Sequence, residues 1–390
     1  MRDVFLNWHL GHTFGWGIVG LNLLSQWAND PDLRAVMAHP IAREALGVAD
    51  PLRLGRIGPA IAHSNRYVAG VRAAPDGVVR VRATAIDPVG NGFAPSKCRG
   101  DVTIARCIFE NTDLARARET LSAHDALLTA SNWNAELVER ATGRRPKVIH
   151  EGVDTALFCP GPRSGLMDPE TFHIYCGGKL ELRKGQDLVL LAFRRFRERH
   201  RNCVLVTAWQ SIWPQLSAGF RGRAQAAVRV DGRGLLDIAT WVAQNGIDPS
   251  AVIDVGLVPN ALLPSVLREM DVALQPSRAE SCTNLSVKEA MACGIPVIAA
   301  ANTGMRDLVR DDNAIVLHSQ APVSSPAPAS TEGWGESDVD EIVEALEFAY
   351  TKREDARRIG LRARQWLIDH GRTWEAHARE LKGWILSLGA

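Results

Sequence analysis

Val272 to Ala300 reads VALQPSRAESCTNLSVKEAMACGIPVIAA, and this stretch decides the fold. Val272 to Gln275 (VALQ) is a short apolar run of the kind that forms a buried strand. Leu285 to Cys293 reads as a helix, closed by Gly294 just past its end and by Pro296 two residues later. Ile295 to Ala300 (IPVIAA) reads as a second strand. Strand, helix and strand in that order make a βαβ unit, which requires a parallel sheet. Within the unit, Glu280 and Glu289 stand nine positions apart.

The same alternation runs along the chain in both directions. Asp3 to Trp8, Ala126 to Ala130, Pro146 to His150, His173 to Tyr175 and Val204 to Ala208 all read as short strands. Val189, Ala192, Phe193 and Phe196 follow the i, i+3, i+4, i+7 rule of a helix, as do Val339, Ile342, Val343 and Leu346. A chain of 390 residues exceeds what one core usually supports. The best boundary is Phe158 to Pro169 (FCPGPRSGLMDP), rich in prolines and glycines. The expected fold is α/β, two Rossmann-like doubly wound domains facing across a cleft. Their expected spans are 1–160 and 161–372, followed by a helix over 373–390 that packs back on the first domain. Gln320 to Ser330 (QAPVSSPAPAS) reads as a surface loop.

Composition narrows the function. With 45 basic and 44 acidic residues the net charge is +1, which argues against a nucleic-acid binder. Seven scattered cysteines without a C-x-x-C pair argue against a disulfide framework or a zinc site and for a reducing cytosol. MRDVFLNWHLGH is broken by Asn7, Trp8 and His9 and does not read as a signal peptide. No apolar run reaches the length of a membrane span. The arginine-rich run Arg194 to Arg201 reads as the wet face of a helix, with contact at a membrane surface as the minority alternative.

In open α/β sheets ligands bind beyond the carboxyl ends of the strands, so residues just after strands carry the most weight. Gly15 to Gly20, GWGIVG, is a literal G-x-G-x-x-G behind the first strand, as in a dinucleotide-binding oxidoreductase. Six residues separate it from the strand end, and no acidic residue closes the next strand, Arg34 to His39. The preferred reading is a turn lining a cleft, with Gly15, Trp16, Gly17, His9 and His12 available to a phosphate or sugar. Gly177 to Gly185 (GGKLELRKG) follows a strand and sets Lys179 and Lys184 across a glycine turn, with Arg183 as a third cation. Such cations suit a diphosphate that gains charge as it leaves. Glu280 follows the strand VALQ directly, and the helix behind it offers N-terminal amides through Thr283, Asn284 and Leu285. Glu289 has a structural rival role in a capping box, Ser286-Val287-Lys288-Glu289. Asp338-Val339-Asp340 matches a D-x-D metal motif but opens an amphipathic helix and reads as helix-start acids, so no metal is expected.

PSRAES followed by EAMACGIPVIAA resembles the signature of retaining glycosyltransferases of family 4, which have the GT-B fold. HEGVDTALFCPG, GGKLELRKG, VGLVPNALLPSVL and ANTGMRDLV agree with that pattern in order, from about residue 100 onward. The resemblance implies a retaining, metal-independent transferase that takes a sugar from a nucleotide diphosphate sugar and needs no cofactor. Carried over residue by residue, Glu289 contacts the ribose, Glu280 lies by the transferred sugar, and Lys179 and Lys184 bind the diphosphate; Gly178 and Arg183, on the same turn, are read with them from their place after the strand. The base meets Gly256, Leu257 and Val258. Lys179 stands where arginine is usual, which forfeits a bidentate contact. The family spacing is E-x7-E, whereas this chain has E-x8-E, so strict register selects Ser281. A one-residue bulge in the loop restores Glu280 and is the expected arrangement.

The acceptor, a glycan, a lipid or a small molecule, is expected on the first domain. Candidate contacts there are His12, Glu110 and Asn111, with Asn91, His9, His39 and His63 also available. Trp209 and Gln210 are candidates for the donor pocket. The expected location is the cytoplasm, with peripheral contact at the inner membrane as an addition. The alternatives are a nucleotide-sugar-binding protein with little activity and, behind it, an NAD(P) oxidoreductase built on GWGIVG.

Overall fold

The computed structural model describes residues 1–47, 51–71, 77–220, 223–224, 226–324 and 330–389. Among them the chain divides into two units: Met1–Gly152 with Pro259–Ala261 and Gly371–Ala390, and Val153–Val258 with Leu262–His370. The division at Gly152 falls ahead of the breaker-rich run Phe158 to Pro169.

The first unit alternates strand and helix: β1 (Arg2–Leu6), α1 (Gly15–Gln26), β2 (Leu33–Met37), α2 (Pro51–Gly70), β3 (Val79–Arg80), β4 (Thr84–Val89), β5 (Cys98–Arg99), β6 (Val102–Cys107), α3 (Ala117–Ser122), β7 (Ala126–Thr129), α4 (Asn132–Thr142) and β8 (Lys147–Val148). Six of its strands form one sheet in the order β2-β1-β4-β6-β7-β8, and every pairing in it is parallel. β3 and β5 form a separate two-stranded pair. The sequence reading missed β4, because Asp87 and Pro88 interrupt its apolar run. Asp87 is buried, however, and pairs with His124 at 3.0 Å and with the Asn7 amide at 2.7 Å, which offsets its desolvation.

The second unit repeats the pattern: β9 (Phe172–Gly177), α5 (Gln186–Arg199), β10 (Cys203–Ala208), α6 (Ile238–Gln244), β11 (Val252–Asp254), α7 (Leu263–Leu267), β12 (Val272–Gln275), α8 (Leu285–Ala292), β13 (Val297–Ala300) and β14 (Ile315–Leu317). Its sheet runs β11-β10-β9-β12-β13-β14, again all parallel. Both faces are covered, so the strands alternate between two cores rather than between core and water. Phe172, Ile174 and Cys176 of β9 enter one apolar cluster with Phe193 and Phe196, while Tyr175 enters the other with Val287 and Met291. Counted within the unit, the strand order is 3-2-1-4-5-6. The order therefore reverses between β9 and β12, and that switch point is where such sheets bind ligands.

β15 (Gln320–Pro322) pairs with β16 (Gly335–Ser337), so the expected surface loop begins as a strand; residues 325–329 of that run lie outside the described residues. α9 (Val339–Thr351) and α10 (Arg353–Asp369) complete this unit. Asp338 caps α9 through the amides of Asp340 and Glu341, as helix-start acids do. α9 also absorbs the basic run of α5: Arg195 pairs with Asp340, and Arg199 and His200 both pair with Glu347. α11 (Trp374–Ser387) belongs to the first unit, where its Ala378 carbonyl accepts from Trp27 Nε1 and Lys382 binds Asp30 at 2.7 Å. No helix among the described residues is long and apolar enough to cross a membrane.

Candidate active site

Two loops leave the sheet of the second unit at its switch point, one after β9 and one after β12. The first, Gly178 to Gly185, turns through a short 3-10 segment, Leu182–Lys184. Gly185 ends it at φ 73°, and a Cβ there would stand 2.3 Å from the Pro276 carbonyl oxygen. Only glycine lets the two loops approach this closely.

The approach joins the charges of one loop to the acid of the other. Lys184 Nζ donates to both oxygens of Glu280, at 2.8 and 2.9 Å, and Arg183 Nη1 donates to Oε2 at 2.7 Å. Asn284 Nδ2 donates to Oε1 at 2.8 Å. Burial alone would push the Glu280 carboxyl up, but Lys184 and Arg183 outweigh it and hold it below the usual carboxylate range. Burial also pulls the Lys184 ammonium below its ordinary value, against the opposing charge of Glu280. Arg183 Nη2 reaches Glu181 at 3.1 Å, and Lys179 lies 3.3 Å from the same Glu181 oxygen. Lys179 also sits 5.6 Å over the Trp213 ring. The predicted cations are thus brought together, strung on two carboxylates, of which sequence reasoning missed Glu181.

Asn284 is the N-cap of α8, since its Oδ1 accepts from the Ser286 amide at 2.9 Å. Ser286 therefore lies inside the helix and the capping box that rivalled a ligand role for Glu289 does not form; the third helical position is Val287. Glu289 instead faces the β9 side, where burial and its charge together push the Tyr175 phenol well above its ordinary value. In the loop between Glu280 and Asn284, Thr283 Oγ1 is buried without a hydrogen-bond partner among the described residues. The Glu280 amide donates to Thr303 Oγ1 at 2.8 Å and its carbonyl accepts from the Gly304 amide at 2.9 Å. Thr303 holds φ 41°, a left-handed value rare for a β-branched residue. Gly256, at φ 73°, and Leu257, 43% exposed, form the turn after β11 with Val258.

A second missed residue organises both loops. Arg278 is fully buried and forks onto Asp187 at 2.8 and 2.7 Å, while its Nε donates to Glu336 at 2.6 Å. It also donates to the Leu182 carbonyl at 2.8 Å, so one guanidinium ties α5, β16 and the cation turn together. The signal in the sequence was an arginine directly behind a buried strand. Trp209 is core: it is fully buried, donates to Cys176 Sγ and packs edge-on against Trp241. Gln210 is spent bracing the loop after β10 against Leu236 and Asp254.

In the first unit the glycines of GWGIVG serve packing. A Cβ on Gly17 would lie 2.2 Å from the Gly11 nitrogen, and one on Gly20 2.6 Å from Leu10. Gly15 opens α1, Trp16 packs against Trp8 with Arg106 5.4 Å over its ring, and His12 contacts the Ala45 carbonyl. Asn91 stitches down the turn of Glu110 and Asn111, accepting from both amides at 2.7 and 3.0 Å. His39 contacts Asn7 and His63 contacts Asp3. Among the described residues no group of three or more His, Cys, Asp or Glu is arranged around a common metal position.

Residues 171–325 match the family model described as Glycosyl transferases group 1. D-inositol 3-phosphate glycosyltransferase 1 of Catenulispora acidiphila is 26% identical over 208 residues, 50% of this chain and 46% of that protein. The corresponding enzyme of Geodermatophilus obscurus is 30% identical over 188 residues, 45% of this chain and 37% of that protein. The chain thus spans about half or less of the length of the curated relatives it matches. Solved structures align along essentially the whole chain. Sucrose-phosphate synthase from Thermosynechococcus elongatus aligns over 100% of this chain and 99% of its own, with a TM-score of 0.65 at 17% identity. Anabaena Alr3699/HepE in complex with UDP-glucose covers 99% of this chain and 100% of its own, at 0.65 and 14%. With its two units, each built on a parallel α/β sheet, the chain has the GT-B fold of these glycosyltransferases.

Proposed function

We propose that this protein is a retaining, metal-independent glycosyltransferase that takes a sugar from a nucleotide diphosphate sugar. The observation that carries this reading is the meeting of Lys184, Arg183 and Glu280 at the switch point of the second sheet, beside the N-terminus of α8. Cations and helix amides at a switch point suit an anion, and a diphosphate leaving group gains charge as its bond to the sugar breaks. The donor diphosphate competes with Glu280 for Lys184 and Arg183, which frees the carboxylate for the sugar hydroxyls. Glu289, released from any capping role, takes the ribose, and the turn Gly256–Val258 meets the base.

In the transfer itself the bond from the anomeric carbon to the phosphate oxygen breaks and a bond from an acceptor oxygen forms on the same face. The acceptor proton passes to the departing phosphate. No protein nucleophile is needed, and each charge that develops has a partner in the site. The names of the relatives make UDP-glucose and D-inositol 3-phosphate the first donor and acceptor to try.

The test is turnover of UDP-, GDP- and ADP-glucose with EDTA present, with and without D-inositol 3-phosphate, followed by NMR of the anomeric proton. Turnover in EDTA with an α-configured product supports the proposal. A β product, or activity abolished by EDTA, overturns the mechanism. Nucleotide binding without any turnover leaves a binding protein, and binding of NADH alone overturns the donor site.

A further inference from the structure

The charged residues of the switch point alternate in sign: Lys179, Glu181, Arg183, Glu280, Lys184. The contacts run 3.3 Å from Lys179 to Glu181, 3.1 Å from Glu181 to Arg183, 2.7 Å from Arg183 to Glu280 and 2.8 Å from Glu280 to Lys184. The two carboxylates hold different edges of Arg183, Glu280 through Nη1 and Glu181 through Nη2. An anion that replaces Glu280 on Lys184 and Arg183 Nη1 therefore leaves the hold of Glu181 intact.

Glu181 projects from a fixed base. Its carbonyl accepts from the Lys184 amide at 2.8 Å, and its own amide faces Gln186 Oε1 at 3.4 Å. Fully buried Gln186 also donates to the Lys179 carbonyl at 2.9 Å, so the backbone of both residues is braced by one side chain. The Glu181 side chain is 15% exposed, and Trp213 covers Lys179 from another side. A passive surface acid would face water rather than two cations on one oxygen atom.

We propose that Glu181 is the positioning residue of the diphosphate site, holding Lys179 and Arg183 in place for the anion; this rests on the donor reading above. It predicts an effect opposite in sign to simple electrostatics. A passive carboxylate beside an anion site repels the ligand, so Glu181→Gln would tighten binding by Coulomb's law. A positioning carboxylate, once neutralised, lets the cations drift and weakens it.

The experiment is calorimetric titration of the full chain with UDP and with inorganic pyrophosphate, for wild type, Glu181→Gln and the charge-conserving Glu181→Asp. The melting temperature of each without ligand controls for folding. Expected is a loss of about tenfold or more in affinity for both variants, since misplacements near 1 Å are costly in such sites. In donor hydrolysis KM should rise far more than kcat falls. Unchanged or tighter binding by Glu181→Gln overturns the proposal, as does wild-type affinity in Glu181→Asp. If wild type binds neither UDP nor pyrophosphate, the donor reading itself fails, and this inference with it.

Discussion

Glu280 accepts from Lys184 and Asn284 on Oε1 and from Lys184 and Arg183 on Oε2, so both oxygens of a 4% exposed carboxylate are spoken for. Ser281, the alternative in strict E-x7-E register, brings its hydroxyl to 3.9 Å from Cys282 Sγ. The two positions should then respond differently to substitution. Glu280→Gln is expected to lower donor turnover about 100-fold or more, the scale of removing one charge-stabilising group from a preorganised site. Ser281→Ala is expected to stay within a few-fold of wild type. Initial rates of donor hydrolysis decide it, and the opposite ranking would move the site by one residue.

Acid should find Glu280 late. Its folded carboxyl is held below the ordinary value of 4.5, so its contribution to stability is complete above that value and is lost as pH falls through the lower, folded one. The gap in melting temperature between wild type and Glu280→Gln is therefore expected to be widest above pH 4.5 and to narrow below it. A gap that is constant from neutral pH down to acid would show that the ion pairs with Lys184 and Arg183 contribute nothing to stability.

Arg278 belongs to the frame rather than the chemistry. Replacing it with methionine leaves Asp187 buried, 4% exposed, without its cation. Breaking one side of a buried pair costs about 3–5 kcal/mol. Arg278→Met should lose stability on that scale in urea, and Arg278→Lys should recover only part, because an ammonium cannot fork onto Asp187 and reach Glu336 together. A loss below about 1 kcal/mol, the ordinary effect of a point change, would remove Arg278 from this role.

GWGIVG makes a prediction by contrast. Gly17→Ala would drive a methyl into the Gly11 backbone, and overpacking of this kind costs about 1–3 kcal/mol. Its stability should fall while the affinity for UDP stays that of wild type. A selective loss of nucleotide binding at unchanged stability would return the loop to a phosphate role.

The sheet of the second unit was legible because a strand buried on both faces is a continuous apolar run, and VALQ and VLVTA are such runs. β4 was not, because Asp87 pays its desolvation to His124 and Asn7, partners 37 and 80 residues away that no local window contains. The same limit governs the site. Lys184 and Glu280 were found by their places after strands, a local property. Arg278 acts through contacts with Asp187, Leu182 and Glu336 that exist only once the two loops and β16 meet, whereas Glu181 pairs with Lys179 and Arg183, two residues to either side, on a turn read only for its cations. The Ser286–Glu289 capping box was a sound local pattern that lost to Asn284, two residues earlier, which caps α8 and binds Glu280 at once.

Thr303 joins backbone strain to the placement of Glu280. Its φ of 41° is a conformation that costs a non-glycine residue about 1–3 kcal/mol and persists only where the surroundings enforce it. The enforcement here is its hydroxyl, which accepts from the Glu280 amide at 2.8 Å and donates to Asn302 Oδ1 at 3.1 Å. Thr303→Ala keeps the strain and deletes the bonds, leaving the buried Glu280 amide unpaired. Thr303→Gly deletes the same bonds but relieves the strain. Glycine should therefore be the less damaging change in urea, despite removing more of the side chain, by about 1 kcal/mol. Both variants should lose donor turnover alike, because both free the Glu280 amide and leave its backbone held only through the Gly304 amide. If alanine proves the more stable, the left-handed backbone carries no strain; if turnover survives in both, the bond from the Glu280 amide to Thr303 is not needed to place the carboxylate.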